Sequence, residues 1–359
     1  MWYGLMLLAS LYVGNPVVVP SHPADSARHS VTVPLVVPVA SAAIPDSITT
    51  RTTRAATAPA DATHVADADA DASASGEHAT RWSSGFTYAE HGIFVRVALD
   101  GVDAGWFLLD TGANATVVDD RVVTRRHLAL AGHEIVQGTG STVRARIYRL
   151  GNVSVNGATA LAVTGVAQDL TGFPAPEGES LSGILGSDFL GSFVVTIDFA
   201  THQVTFSVAT DSTARAGTRI RFTTDHGAPR IPVTLDGRVA ADFRIDTGLH
   251  GSYEDAPYVA VTDDVWRTLS RTHSIAMPVR EVAARGIGTR ESVTLPVVRI
   301  DQLAIGAAHI ESPWVVPQGR HGYFADDGAV SLLGNGVLER FSPVTIDYLS
   351  GSLYLTVPR

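Results

Sequence analysis

The strongest constraint on how this chain can fold is that it repeats itself. Val97–Gly112 aligns without a gap on Val233–Gly248, with nine of sixteen positions identical. Both copies read as a strand, an Asp-Gly turn and a second strand that runs into Asp-Thr-Gly. The match continues downstream. Gly138-Thr139-Gly140 corresponds to Gly286-Ile287-Gly288, Ile184-Leu185-Gly186 to Leu332-Leu333-Gly334, and Thr196-Ile197-Asp198-Phe199 to Thr345-Ile346-Asp347-Tyr348. Two units of roughly 120–140 residues follow, each of ordinary domain size. They are placed at 88–209 and 217–359, joined by Ala209 to Gly217. Short alternating apolar runs broken by Gly, Asp-Gly and Asn-Gly put both units in the all-β class with minor α content. Each unit carries one helix pattern, over Asp119–Leu128 and over Asp263–Ser270 behind a Thr262 cap. Asp100, Asp236, Asp198 and Asp347 read as hairpin aspartates.

Composition narrows the function classes. Of 359 residues, 45% are hydrophobic and 17% charged, enough apolar material for an ordered core. A formal charge of −10 with no basic patch argues against nucleic acid as a partner. All 26 basic residues are arginine, to which no function is assigned. The absence of cysteine excludes disulfides, thiol nucleophiles and Cys-ligated zinc. The histidines are scattered and form no His-Glu-x-x-His, so no metal site is expected.

Residues 1–45 read as a targeting region. The apolar run Trp2–Val13 lacks a preceding basic residue, whereas Arg28-His29, the run Val31–Val39 and Ala40-Ser41-Ala42 make a better-formed export signal. Neither run has the roughly 20 apolar residues of a membrane-spanning helix. The expected localisation is therefore exported, periplasmic or secreted. Residues 46–87, rich in Ala, Asp, Ser and Thr, read as a disordered linker. Their alternating aspartates do not make a calcium loop, because Ala72 stands where Gly is needed and His78 where the bidentate Glu belongs.

A lone Asp-Thr-Gly is a weak signal, since turn-forming triplets recur by chance. Here it occurs twice at equivalent places, each time after an apolar strand and each time matched downstream by an apolar-apolar-Gly segment. That combination resembles the pepsin and retropepsin families of aspartic peptidases, over about residues 93–357. The Gly-x-Gly in each copy brings it closest to bacterial retropepsin-like proteins, here with two units in one chain. The resemblance implies a bilobal acid-protease-like fold with pseudo-twofold symmetry and an endopeptidase acting on peptide or protein substrates without a cofactor. Asp110 and Asp246 would be the catalytic pair. Like charges that close cannot both ionise easily, so the pair would hold one proton, the ionised member activating a water and the protonated member donating to the scissile carbonyl. Thr111 and Thr247 would tie the active loops together, and Gly112 and Gly248 would let the backbone approach the carboxylates. Gly138, Thr139, Gly140, Gly286, Ile287 and Gly288 are candidate flaps, or plain hairpin turns. Gly186 and Gly334 are expected to be structural. Because the chain carries both halves, an active monomer is expected.

The chain departs from the family pattern after the second motif. Ala113 follows the first Asp-Thr-Gly, but Leu249 and His250 follow the second, and His250–Val261 has no counterpart in the first copy. His250 reads as a loop or pocket-rim residue. Neither Ala113 nor Leu249 offers a hydroxyl to the aspartates, which should raise both apparent pKa values and move activity toward mildly acidic or near-neutral pH. Leu249 also leaves open a catalytically impaired bilobal protein that binds peptides without cleaving them. A folded head displayed on an Ala-rich tether is a third reading.

Overall fold

Each Asp-Gly pair turns a hairpin whose two central residues both have positive φ, 47° and 77° at Asp100-Gly101 and 49° and 64° at Asp236-Gly237. That is the turn whose twist matches paired strands. In the first copy it joins strands Gly92–Leu99 and Val102–Leu109; in the second, Ala228–Leu235 and Val239–Ile245. Each turn aspartate also accepts a hydrogen bond from a neighbouring hairpin, Asp100 from the Asn152 amide and Asp236 from the Gln302 amide, both at 2.8 Å. The computed structural model describes residues 4–7, 12–13, 81–137, 142–209, 216–251, 253–254, 256–272, 280–286, 293–320 and 322–356. It is predominantly β-strand with a few short helices.

The end of each hairpin's second strand is buried on both faces, over Ala104–Leu109 in the first copy and Phe243–Ile245 in the second. Gly183–Leu185 runs parallel to Val102–Leu109 and antiparallel to Val117–Asp119. In the same way Ser331–Leu333 runs parallel to Val239–Ile245 and antiparallel to Tyr258–Val261. The apolar-apolar-Gly segments thus lie directly beside the strands that lead into Asp-Thr-Gly. Tyr258–Val261 is therefore the counterpart of Val117–Asp119, and much of the extra length of the second copy lies in the stretch between Leu249 and Tyr258. A gapless reading from Asp-Thr-Gly cannot see this, because only pairing across the sheet identifies the equivalent strand.

A nine-stranded sheet holds most of the first copy and a twelve-stranded sheet most of the second; a six-stranded sheet draws on both. At its centre Val194–Asp198 pairs antiparallel with Val344–Asp347, Thr196 opposite Thr345, with their hydroxyls 2.9 Å apart. The equivalent strands of the two copies thus meet residue for residue, as an approximate twofold axis requires. Strand alternation divides the core. Phe107 and Leu109 join Phe243 and Ile245 in one large apolar cluster that includes residues from both copies, whereas Trp106 and Leu108 face a smaller cluster with Ala113 and Ile184. Full burial of a side chain such as Phe107 contributes about 2–3 kcal/mol.

Two features differ from the sequence reading. Arg81–Gly85, within the expected linker, is a strand paired with Gln203–Ser207, because Trp82 packs edge-on against Phe193. At the first helix Asp119 is the cap rather than the first turn: its carboxylate accepts from the Arg121 amide and the helix spans Asp120–Arg126. The second helix spans Asp263–Thr272, with the Val265 amide directed at the Thr262 hydroxyl at 3.4 Å. Near the N-terminus, Gly4–Leu7 pairs parallel with Arg280–Gly286 and antiparallel with Leu249–His250, and Tyr12–Val13 pairs with Ala129–Gln137. No helix among the described residues is long and apolar enough to cross a membrane.

Candidate active site

Asp110 and Asp246 each leave the end of an inner strand, held there by one backbone bond to the strand behind: the Asp110 amide donates to Leu185 O at 3.0 Å and the Asp246 amide to Leu333 O at 2.9 Å. The two loops are then joined by four hydrogen bonds related by the twofold. The Thr111 amide donates to Thr247 Oγ1 at 3.0 Å and the Thr247 amide to Thr111 Oγ1 at 3.1 Å. The hydroxyls donate onward, Thr111 to Ile245 O at 2.8 Å and Thr247 to Leu109 O at 2.7 Å. Every polar atom of these threonine side chains is thereby used, which is why both are fully buried without penalty.

This crossing presses each motif's glycine against the other motif's carboxyl. A Cβ on Gly112 would stand 2.5 Å from Asp246 Cγ, and one on Gly248 would stand 2.4 Å from Asp110 Cγ. Only glycine fits there. Each carboxyl contributes to the pKa shift of the other. Asp110 Oδ1 accepts from the Gly112 amide at 2.8 Å and the Ala113 amide at 3.1 Å, whereas Asp246 Oδ1 accepts from the Leu249 amide at 2.9 Å. The Oδ2 atom of each is buried and has no partner of standard geometry among the described residues.

Burial drives both pKa values up. Asp110 is pushed up to about 6 by burial, against the amides of Gly112 and Ala113. Asp246 is raised well above the usual carboxylate range by burial and by the Asp110 charge, opposed by the Arg244 guanidinium. Asp110 receives more amide donors than Asp246 and so is the better home for negative charge.

The glycines behind the loops are set by contact. A Cβ on Gly186 would meet the Ala115 backbone at 2.6 Å, and one on Gly334 would meet Leu249 O at 2.2 Å. Leu249 itself is buried in an apolar cluster with Tyr253, Tyr258, Trp314 and Leu332, matching the place of Ala113 in the first copy. His250 is buried beneath the surface rather than on a pocket rim. Its Nδ1 is 3.2 Å from Glu90 O, its ring meets Phe94 edge-on, and burial lowers its pKa to about 4. Gly138, Thr139, Gly140, Ile287 and Gly288 lie outside the described residues; Gly286 ends strand Arg280–Gly286.

Two contributors escaped the sequence reading. Asn335 donates to Thr247 O at 2.8 Å and to His91 O at 2.7 Å, holding the second loop, a task done in the first copy by Asp188, which accepts from the Thr116 amide and hydroxyl at 2.8 and 2.7 Å. Arg244 is the other, and its signal was present: a charged residue inside an apolar strand, where the first copy has Leu108.

Among known proteins, residues 95–189 match the family model described as aspartyl protease. Among solved structures, the crystal structure of a retropepsin-like aspartic protease from Rickettsia conorii matches with 20% identity and a TM-score of 0.28, covering 39% of this chain and 89% of that one. No curated protein matches the chain. The first copy, over residues 95–189, is thus similar to the aspartyl protease family model.

Proposed function

We propose that the protein is an aspartic endopeptidase in which Asp110 and Asp246 form a single catalytic dyad. The observation that carries this reading is the reciprocal threonine lattice, which brings each buried carboxyl against the other loop's glycine. Ionised Asp110 removes a proton from a water held between the carboxyls as that water attacks the scissile carbonyl. Asp246 gives its proton to the carbonyl oxygen, and the tetrahedral intermediate collapses with a proton passed to the leaving amine. Raised pKa values on both groups support an activity window at mildly acidic to near-neutral pH.

The competing reading, a peptide-binding protein without turnover, rested on Leu249. Its side chain packs into the apolar cluster behind the loop while its amide serves Asp246, an arrangement compatible with catalysis. The central pairing of Thr196 with Thr345 within one chain supports an active monomer, and the Arg28–Ala42 signal supports export. The test is turnover of a mixed peptide library. Asp110→Asn and Asp246→Asn should each lower kcat at least ~10³-fold while leaving the folded state intact. Undiminished turnover in either variant would sink the dyad.

A further inference from the structure

Arg244 stands on strand Val239–Ile245, two residues before Asp246, on the strand face where the first copy places Leu108. Its guanidinium is buried and reaches three groups on three elements. One nitrogen donates to Gly112 O at 3.3 Å, in the opposite catalytic loop. Another donates to Asp225 Oδ2 at 2.7 Å. The plane lies over the Tyr323 ring, 4.6 Å from its centroid. A desolvated cation is costly unless it is paired and hydrogen-bonded, and leucine at this position would avoid the cost. The first copy has no charge at the corresponding position, so the arginine is an electrostatic difference between the two sides of the dyad, alongside Asp188 behind the first loop and Asn335 behind the second.

We propose that Arg244 is a positioning residue for the dyad: clamped between the Gly112 carbonyl and the Asp225 carboxylate, it holds the first catalytic loop and sets the pH range over which the two aspartates share one proton. The inference rests on the dyad reading above. Among the described residues, the charged and titratable groups around Asp246 are Asp110, Arg244, Tyr258 and Tyr323, with the buried His250 farther along its loop and Tyr348 and Asp188 on the Asp110 side. The tyrosines are buried and their pKa values are pushed upward, so they stay neutral. Of these groups Arg244 is the one cation, and Asp225, with His226 3.5 Å from its other oxygen, is the anion that partly offsets it. A cation favours the ionised dyad; removing it must shift the titration upward. Removing the Asp225 charge strengthens the cation's effect and must shift it downward.

The experiment is a set of kcat/KM profiles against pH for the full chain on one quenched-fluorescence peptide that the wild type cleaves. Arg244→Leu, the first copy's residue, should move the bell up by about one pH unit. Asp225→Asn, which keeps an acceptor for the guanidinium, should move it down by a few tenths. Arg244→Lys keeps the charge but not the fork, so its bell should stay near the wild-type position while kcat falls about 3- to 10-fold. A purely structural arginine would give lower rates with neither limb displaced, and that result, or shifts of the same sign in Arg244→Leu and Asp225→Asn, overturns the inference. If Arg244→Leu does not fold, a downward shift in Asp225→Asn with the bell of Arg244→Lys left in place supports the inference, and an unmoved or upward-shifted Asp225→Asn profile overturns it. Turnover that survives Asp110→Asn would instead remove the dyad itself, a failure recognisable before any profile is compared.

Discussion

Thr111 and Thr247 each donate and accept across the lobe boundary, so neither can be replaced without orphaning buried groups. Thr111→Val would leave the Thr247 amide and Ile245 O unpaired and should cost about 2–4 kcal/mol in urea unfolding, with Thr111→Ser recovering most of it. The aspartates make a different prediction. Their folded pKa values exceed their unfolded ones, so the stability they contribute is fully present below the ordinary carboxylate value of 3.8 and is lost as pH rises through the raised folded values, about 6 for Asp110 and well above 3.8 for Asp246. Asp110→Asn mimics the protonated form. The difference in unfolding free energy between Asp110→Asn and wild type should therefore grow in favour of the variant between pH 4 and 7; a constant difference would contradict the raised pKa. Leu249→Ser is expected to lower the acidic limb if its hydroxyl reaches Asp246, but it also empties an apolar site and should cost about 2–4 kcal/mol.

At the scale of elements, the strand-to-helix corners behind the Asp-Thr-Gly loops are rigid for a steric reason. Gly334 opens a short helix, and a Cβ there would sit 2.2 Å from Leu249 O, a backbone atom that cannot move without displacing the second Asp-Thr-Gly loop. Gly334→Ala should lower the unfolding midpoint and reduce kcat/KM by more than ~10-fold. Gly101→Ala is the control: its Cβ meets nothing within 4 Å, and only the positive φ of 77° opposes it. That variant should lose about 1 kcal/mol and keep its activity. The hairpins Ala129–Gln137/Thr142–Val155 and Arg280–Gly286/Val293–Arg299 stand in corresponding places, each leading toward its Gly-x-Gly.

For the whole molecule, the decisive contact is the strand pair Val194–Asp198 with Val344–Asp347, which unites the copies within one chain. Sedimentation should give a monomer whose specific activity is unchanged by dilution. The N-terminal strand adds a further expectation. Gly4–Leu7 occupies the open edges of Leu249–His250 and of Arg280–Gly286, backbone that an extended peptide would otherwise pair with. A chain beginning at residue 79 should therefore show a lower KM for peptides than the full chain. An equal KM would mean that this strand does not compete with substrate.

The repeat, the β class, the Asp-Gly hairpins and the two Asp-Thr-Gly loops were legible in the sequence because each is written in local chemistry: strand alternation, turn residues that tolerate positive φ, and a motif repeated in register. The equivalence of Tyr258–Val261 with Val117–Asp119 was not, since it is defined by pairing between strands far apart in the chain. Nor was the strand Arg81–Gly85, whose few apolar residues gain their worth only from Phe193 and the edge of a sheet built elsewhere. The same holds at the site. The sequence named Asp110, Asp246 and the threonines, but a pKa is a property of surroundings. Only the tertiary structure decided that the carboxyls would be buried against each other's glycines, and that a charge from one strand would be wedged between the Asp225 carboxylate and the opposite Asp-Thr-Gly loop.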